Sequence, residues 1–338
     1  MSKIILEYVW LDGYGTPNLR SKIRVMDFDG EEVDLSHIPV WNFDGSSTRQ
    51  APGEDSECLL VPVRVYANRG KFIVLCEVAN PDGTPHRTNQ RAQLRKTAES
   101  ATNEHFWWGF EQEYFITKDF KPLGFPDGGY PKPQGLYYCG VGGNQVAGRD
   151  LVETHLLECL HAGMDITGIN AEVAVGQWEY QCFNTDTLKA CDDLWISRYL
   201  LYKSAERFGW DIDLDPKPVE GDWNGSGCHT NFSTEEMRTT GGRYYTDKLM
   251  AKFEANHTKH IENYGEGNEQ RLTGNHETQR IDTFSWGVGD RGASVRVPNA
   301  FRENNWIGYI EDRRPASNCD PYKVATVIIE TTMEATDD

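Results

Sequence analysis

A run of aromatic and β-branched residues at 106–117, FWWGFEQEYFIT, is interrupted by two glutamates. Its composition is that of a β-strand, and on a strand residues two apart face the same side. Glu111 and Glu113 therefore point at one spot. A fold that buries this run must set a cation or a basic partner between the two carboxylates, because an unpaired buried charge is expensive. Taken alone, the run also fits a solvated strand face with its aromatics packed behind it.

Acids recur in similar surroundings farther on. In Asn170–Tyr180 (NAEVAVGQWEY), Glu172 and Glu179 are seven residues apart, which sets them on opposite faces of one continuous strand. A hairpin or bulge at Gly176-Gln177 would bring both together. Gly227–Ser233 (GCHTNFS) offers His229 in a short β-like segment, and Glu311 follows the apolar run Trp306–Ile310. A lone histidine is usually structural, but five glutamates with one histidine suit Mg²⁺ or Mn²⁺, which prefer oxygen ligands. Zinc fits poorly, since H-E-x-x-H and paired-cysteine spacings are absent. His257 and His260, three apart on an expected helix, have no third ligand indicated and read as surface residues.

The first eighty residues read mostly as strand: Ile4–Trp10, Ile23–Phe28, Leu59–Tyr66 and Phe72–Val78. Pro81-Asp82-Gly83-Thr84-Pro85 then breaks the chain and marks a boundary between regions 1–84 and 85–338. Beyond it strands and amphipathic helices are interspersed. The helices are expected at Asn89–His105, Arg149–Ala162, Asp186–Phe208, Thr246–Tyr264 and Pro321–Met333, the second with Leu151, Val152, His155, Leu156, Cys159 and Leu160 on one stripe. The glycine-rich connection from Gly124 to Gly148 is long enough to be functional. The whole pattern is α+β.

An excess of 52 acidic over 34 basic residues, net −18, opposes binding to nucleic acid or an anionic membrane. No stretch approaches the apolar length of a membrane span. Met1–Trp10 carries Glu7 and lacks a small-residue cleavage site, so it does not read as a leader. Eight scattered cysteines without a C-x-x-C pair read as reduced, mostly buried thiols of a cytoplasmic protein.

Positive charge is nevertheless concentrated in one place. Between Ile261 and Tyr322 there are seven arginines (271, 280, 291, 296, 302, 313, 314) and no lysine. Planar bidentate recognition of phosphate or carboxylate prefers arginine. The same stretch holds ten acidic residues, and some of these arginines simply pair with them. Gly287–Gly292 matches G-x-G-x-x-G, but a dinucleotide fingerprint must open a helix, and the residues that follow, ASVRVP, are β-like and end in proline. That reading is rejected, and no G-x-x-x-x-G-K-[ST] loop is present either.

Seven segments, WNFDGSST (41–48), GFEQEY (109–114), PQGLYYCGVG (133–142), NAEVAVGQWEYQ (170–181), NGSGCHTNFS (224–233), RLTGNHE (271–277) and EDRRPASNCDPY (311–322), together resemble the glutamine synthetase family in its type II, eukaryotic-like branch. The similarity runs in order from about Ile4 to Met333. It implies a small N-terminal β-grasp domain at 1–84. A larger catalytic domain at 85–338, with a curved, mainly antiparallel sheet backed by helices, is implied to follow.

It also implies roles. Glu113, Glu172 and Glu179 match the ligands of one divalent metal, and Glu111, His229 and Glu311 those of a second, with two or three Mg²⁺ or Mn²⁺ per site. Asp44 matches the residue that draws a proton from ammonium, and Glu277 the flap glutamate that shields the intermediate from water. Asn224, Gly225, Arg271 and Arg291 match contacts to the substrate glutamate, and Arg296 and Arg313 phosphate-stabilising arginines. Trp107, Asn231, Ser233 and Tyr309 match positions around the nucleotide.

The activity implied is ATP-dependent joining of ammonia to L-glutamate through a γ-glutamyl phosphate. ATP is a co-substrate, and the active sites lie between subunits of a decamer of two pentameric rings. The chain departs from the family at Asn184, where many relatives place proline, and in 299–307. Three rivals are a γ-glutamyl ligase for another amine, a non-catalytic structural homologue, and a di-metal hydrolase. The first would alter the surroundings of Asp44 and Glu277, the second would have lost ligands, and the third leaves the arginines unexplained.

Overall fold

The computed structural model describes residues 2–30 and 32–336. Met1, the first residue of the segment read for a leader, lies outside them, as do Glu31, Asp337 and Asp338. The first sheet is built from β1 (Ser2–Leu11), β2 (Leu19–Phe28), β3 (Trp41–Asp44), β4 (Glu57–Asn68) and β5 (Lys71–Ala79). Its spatial order is β2-β1-β5-β4-β3, with only β1 and β5 parallel. Four of these strands lie where β-branched and aromatic residues place them; β3 is too short to announce itself.

The remaining chain supplies α1 (Gln90–Ser100), β6 (Trp107–Lys118), β7 (Lys121–Pro122), α2 (Arg149–His161), β8 (Ile166–Ala171), β9 (Gln177–Asn184), α3 (Thr187–Phe208) and β10 (Asp211–Asp213). It continues with β11 (Cys228–Ser233), α4 (Glu235–Thr239), α5 (Gly242–Ala255), α6 (His257–Ile261), β12 (Trp286–Val288), β13 (Val295–Val297), α7 (Asn299–Glu303), β14 (Ile310–Asp312) and α8 (Pro321–Thr336). The nine strands form one sheet in the order β12-β13-β14-β11-β6-β9-β8, with β7 and β10 also paired to β6. All pairs but β12 with β13 are antiparallel. The class is α+β, as expected, and the G-x-G-x-x-G match at Gly287–Gly292 leads into β13 rather than a helix.

The period of two divides this sheet into an apolar and a polar face. Trp108, Phe110 and Tyr114 on β6, Tyr180 and Cys182 on β9, and Phe232 on β11 enter the main core with residues of α3, α5 and α8. The intervening Glu111, Glu113, Glu179 and His229 line a cavity on the opposite side. Gln112 is the one polar residue of β6 turned into the core, where its amide meets Arg198 Nε (2.8 Å) and Ser317 Oγ (2.9 Å). Burial there is tolerated because both ends of the amide are satisfied.

The two sheets are joined by buried ion pairs. Asp192 on α3 accepts from Arg64 Nε of β4 (2.8 Å), from Arg91 Nε of α1 (2.8 Å) and from the Tyr322 hydroxyl of α8 (2.7 Å). Arg91 also reaches Glu77 of β5 at 2.8 Å, and Asp193 accepts from the Tyr66 hydroxyl of β4 at 2.8 Å.

Several sequence expectations need correction. The helix expected over Thr246–Tyr264 begins at Gly242 and divides at Asn256 into α5 and α6. There the Asn256 carboxamide bonds Lys252 O (3.1 Å), competing with the helical backbone. On α2, Leu160 is exposed and Glu158 is buried instead, held by Arg207 (2.8 Å) and Arg69 (3.2 Å).

His260 is not a surface residue, and His257 is half-buried. His260 is fully buried, 3.0 Å from Arg314 and 2.8 Å from the Thr331 hydroxyl, while Arg314 forks onto Asp312. His257 also meets Arg314, at 3.0 Å. Arg314 and Thr331 lie 54 and more residues away along the chain, beyond the reach of local spacing, although His260 also meets the Tyr264 hydroxyl four residues on. All eight cysteines are free, and all but Cys139 are buried.

Candidate active site

Strand register assembles the site. Antiparallel pairing sets His229 opposite Glu111, Glu179 opposite Glu113, and Glu311 opposite both Asn231 and Arg296. The reversal expected at Gly176-Gln177 is the hairpin between β8 and β9, closed by Glu172 N donating to Gln177 O (2.9 Å). Gly176 has φ +80°, and a Cβ there would fall 2.4 Å from Leu123 O, so the turn has no room for a side chain. The hairpin brings Glu172 back toward Glu179, and both line the same cavity.

That cavity, of about 670 Å³, is walled by acids and arginines together: Glu111, Glu113, Glu172, Glu179 and Glu311 face Arg271, Arg291, Arg296 and Arg313, with His229, Asn224, Gly225 and Glu277. Ligand atoms of Glu111, His229 and Glu311 lie within 4.8 Å of one another, as do those of Glu113, Glu179 and His229. Glu172 belongs to neither close triplet among the described residues; its carboxylate accepts from Asn170 Nδ2 at 2.9 Å.

Arg296 and Arg313 hold Glu311 at 2.8 and 2.6 Å, and Arg271 lies 3.1 Å from His229. Arg271 is buried because Gly227 leaves space for it: a Cβ there would fall 2.4 Å from its guanidinium nitrogen.

The electrostatics follow from burial. Burial, then the nearby Glu113 carboxylate, pushes Glu172 up to about 8 and Glu179 up to about 9. Glu113 is raised by burial against the pull of Arg271, and Arg271 is itself drawn down to about 10 by burial. His229 is held well below its usual value by burial and by Arg313, so the imidazole is neutral and keeps a lone pair for a cation. A donor set of carboxylate oxygens with one neutral imidazole fits a hard divalent cation. Arg296 Nε is buried with no hydrogen-bond partner among the described residues, and such a donor suits an oxygen anion.

These shifts carry a pH dependence. Between the ordinary glutamate value of 4.5 and the values near 8 and 9, the folded chain holds protons on Glu172 and Glu179 that the unfolded chain has released. Raising the pH through that window therefore favours unfolding. In chelator, Tm falls from about pH 5 to about pH 9, and added Mg²⁺ restores it most at the alkaline end. A chelated protein whose Tm climbs steadily across that range would contradict the assignment.

A second cavity of about 450 Å³ shares Glu111 and Gln181 with the first and is mostly apolar, lined by Trp107, Phe183, Asn231, Ser233, Arg238 and Tyr309. Arg238 lies 4.0 Å over the Trp107 ring and donates to Ser233 Oγ (3.0 Å) and His105 O (2.7 Å). Nothing in the sequence singled out Arg238, which stands outside the lysine-free stretch. Gln181, Tyr138 and His276 also line the site and were missed. Asn184 does not line either cavity; it is buried and turned toward Asp193 and the start of α3.

Asp44 is the one candidate residue that stands apart from both cavities. It is exposed at the end of β3, where Ser46 (Oγ at 2.6 Å) and Ser47 (Oγ at 2.7 Å) hydrogen-bond its carboxylate and hold it down at about 2. Glu277 is on the cavity wall in left-handed backbone (φ +60°), beside His276 (φ +53°).

Residues 84–255 match the model of the glutamine synthetase catalytic domain. A glutamine synthetase of Bradyrhizobium diazoefficiens is 51% identical over 98% of this chain and 96% of its own. The chain belongs to the glutamine synthetase family. A cytosolic isozyme of glutamine synthetase from Pinus sylvestris is 49% identical over 98% of this chain and 94% of its own. The cryo-EM structure of Plasmodium falciparum glutamine synthetase shares the fold, with a TM-score of 0.77 at 19% identity, over 99% of this chain and 72% of that one. As a glutamine synthetase the chain is a glutamate–ammonia ligase of nitrogen metabolism. No helix among the described residues is long and apolar enough to cross a membrane.

Proposed function

We propose that this cavity pair joins ammonia to the γ-carboxylate of L-glutamate at the expense of ATP, by way of a γ-glutamyl phosphate. The observation that carries the proposal is one cavity in which two acid–histidine triplets face four arginines, sharing Glu111 and Gln181 with an adjoining apolar pocket. An attacking carboxylate and a triphosphate repel each other. Divalent cations held by Glu113, Glu172 and Glu179 and by Glu111, His229 and Glu311 would offset that repulsion and the charge spreading over the transferred phosphoryl group.

Arg296 and Arg313 flank the same point and stabilise that charge, Arg291 serves glutamate and the phosphoryl group, and Asn224, Gly225 and Arg271 orient the glutamate. Trp107, Asn231, Ser233 and Tyr309 enclose the nucleotide. The acyl phosphate must be kept from water, the part assigned to Glu277 in its strained segment. The cations are Mg²⁺ or Mn²⁺, two or three per site.

We assign residues 1–84 to a β-grasp domain and 85–338 to the catalytic domain. Asp44, exposed and ionised on the first sheet, serves the site of an adjacent subunit, in a cytoplasmic decamer of two pentameric rings. An anionic residue is what ammonium needs, to be collected as a cation and deprotonated before it attacks.

The test is phosphate release by purified protein given Mg²⁺, ATP and glutamate. Release should depend on added ammonium. A polyamine that supports release where ammonium does not would overturn the substrate assignment.

A further inference from the structure

We infer that Gln134, in the long loop between β7 and α2, is a positioning residue that fixes which end of the Asn224 carboxamide faces the substrate. The inference rests on the reading of Asn224 as a glutamate contact. Gln134 and Asn224 are joined by two hydrogen bonds across 90 residues of chain: Asn224 N donates to Gln134 Oε1 at 2.7 Å, and Gln134 Nε2 donates to Asn224 Oδ1 at 3.1 Å. The first bond settles the second. A backbone N–H can only donate, so the atom of Gln134 facing it is the oxygen. Its Nε2 must then face an acceptor, which makes the facing atom of Asn224 Oδ1. The Asn224 Nδ2 group is left as a donor at the cavity wall.

The consequence for chemistry is a choice of sign. An asparagine free to flip offers an acceptor as readily as a donor, and an acceptor repels an anionic substrate. Asn224 lines the acidic cavity, where glutamate must bring negative charge among five carboxylates. A donor oriented in advance is therefore worth more here than in water.

The surroundings hold the remainder of this turn independently. Gln177 Nε2 donates to Gly225 O at 3.1 Å, and Ser226 N to Pro216 O at 2.9 Å. The Gln134 loop is itself anchored nearby, with Cys139 N donating to Ala171 O at 2.9 Å and the buried Tyr137 hydroxyl donating to Lys132 O at 2.9 Å. Removing the Gln134 amide thus frees the Asn224 side chain without releasing either segment.

The experiment compares Gln134→Met, which keeps the length and loses both bonds, with Asn224→Ala and the double variant. Gln134→Met should raise the KM for glutamate about tenfold, leave kcat and the KM for ATP within about twofold, and leave Tm within a few degrees. In the Asn224→Ala background the same substitution should add nothing, because there is no amide left to orient. A normal glutamate KM in Gln134→Met beside a raised one in Asn224→Ala overturns the positioning role alone. An unchanged KM in Asn224→Ala overturns the substrate reading and the inference with it. Additive effects in the double variant also overturn the inference, since they show that Gln134 acts by another route.

Discussion

Replacing Glu113 by alanine lowers ammonium-dependent phosphate release by roughly a thousandfold or more, with the fold retained. Glu113 is central in three ways. It stands on β6 in the middle of the nine-stranded sheet, directly opposite Glu179 in register. Its carboxylate also accepts from the backbone N–H of Gly227, the residue that makes room for Arg271. Finally, its charge raises both Glu172 and Glu179.

Alanine therefore removes a cation ligand and relaxes its two companions at once. In chelator the relief of carboxylate repulsion is opposed by the loss of an acceptor for Gly227 N–H and a counter-charge for buried Arg271, so Tm should stay within a few degrees of the parent, whereas stabilisation by Mg²⁺ should shrink. Melting curves with and without Mg²⁺, together with the phosphate assay, check both halves. Near-normal turnover would remove the metal site proposed here.

Asp44→Ala gives the second large effect, in a different parameter. The efficiency with ammonium, kcat/KM, should fall about a hundredfold, while the KM values for ATP and glutamate stay within a few-fold. Asp44 is exposed on the first sheet and lines neither cavity, so nothing in its loss disturbs the acid–arginine cluster. Hydroxylamine, uncharged at neutral pH, has no proton to surrender before attack and should be used nearly as well by the variant as by the parent. Equal losses with both amines would show that Asp44 shapes the site generally and would end its role as base.

Much of this was legible from residue order. Glu111 and Glu113 could be read as sharing a face because a strand has a period of two, and their aromatic neighbours as core for the same reason. Gly176 marked a reversal because Glu172 and Glu179 otherwise diverge. The arginine-only stretch supplied the four cavity arginines, while Arg280 pairs with Asp282 at the surface and Arg314 is spent on Asp312. What could not be read was contact across long separations. His260 is tied into the core by Arg314 and Thr331, 54 and 71 residues away, and Gln134 acquires meaning only through Asn224, 90 residues away. Arg238 is notable only once Trp107 lies beneath its guanidinium, a stacking that no local spacing encodes. The split of one expected helix into α5 and α6 likewise turns on a single side chain, Asn256, bonding its own backbone.

The cluster around Asp192 bears on how separable the two sheets are. A segment beginning at residue 85 would keep Arg91 and Tyr322 on Asp192 but lose Arg64, and would strip the Tyr66 hydroxyl from Asp193. It would also leave Arg91 without Glu77. Asp192 keeps Arg91 and Asp193 keeps Lys189, so no charge is stranded, yet thinning a buried network draws on a domain's narrow margin of stability. Exchanging the two parts between relatives should therefore cost stability. A chimera carrying a foreign N-terminal sheet should melt higher when that sheet brings a guanidinium to position 64 than when it does not.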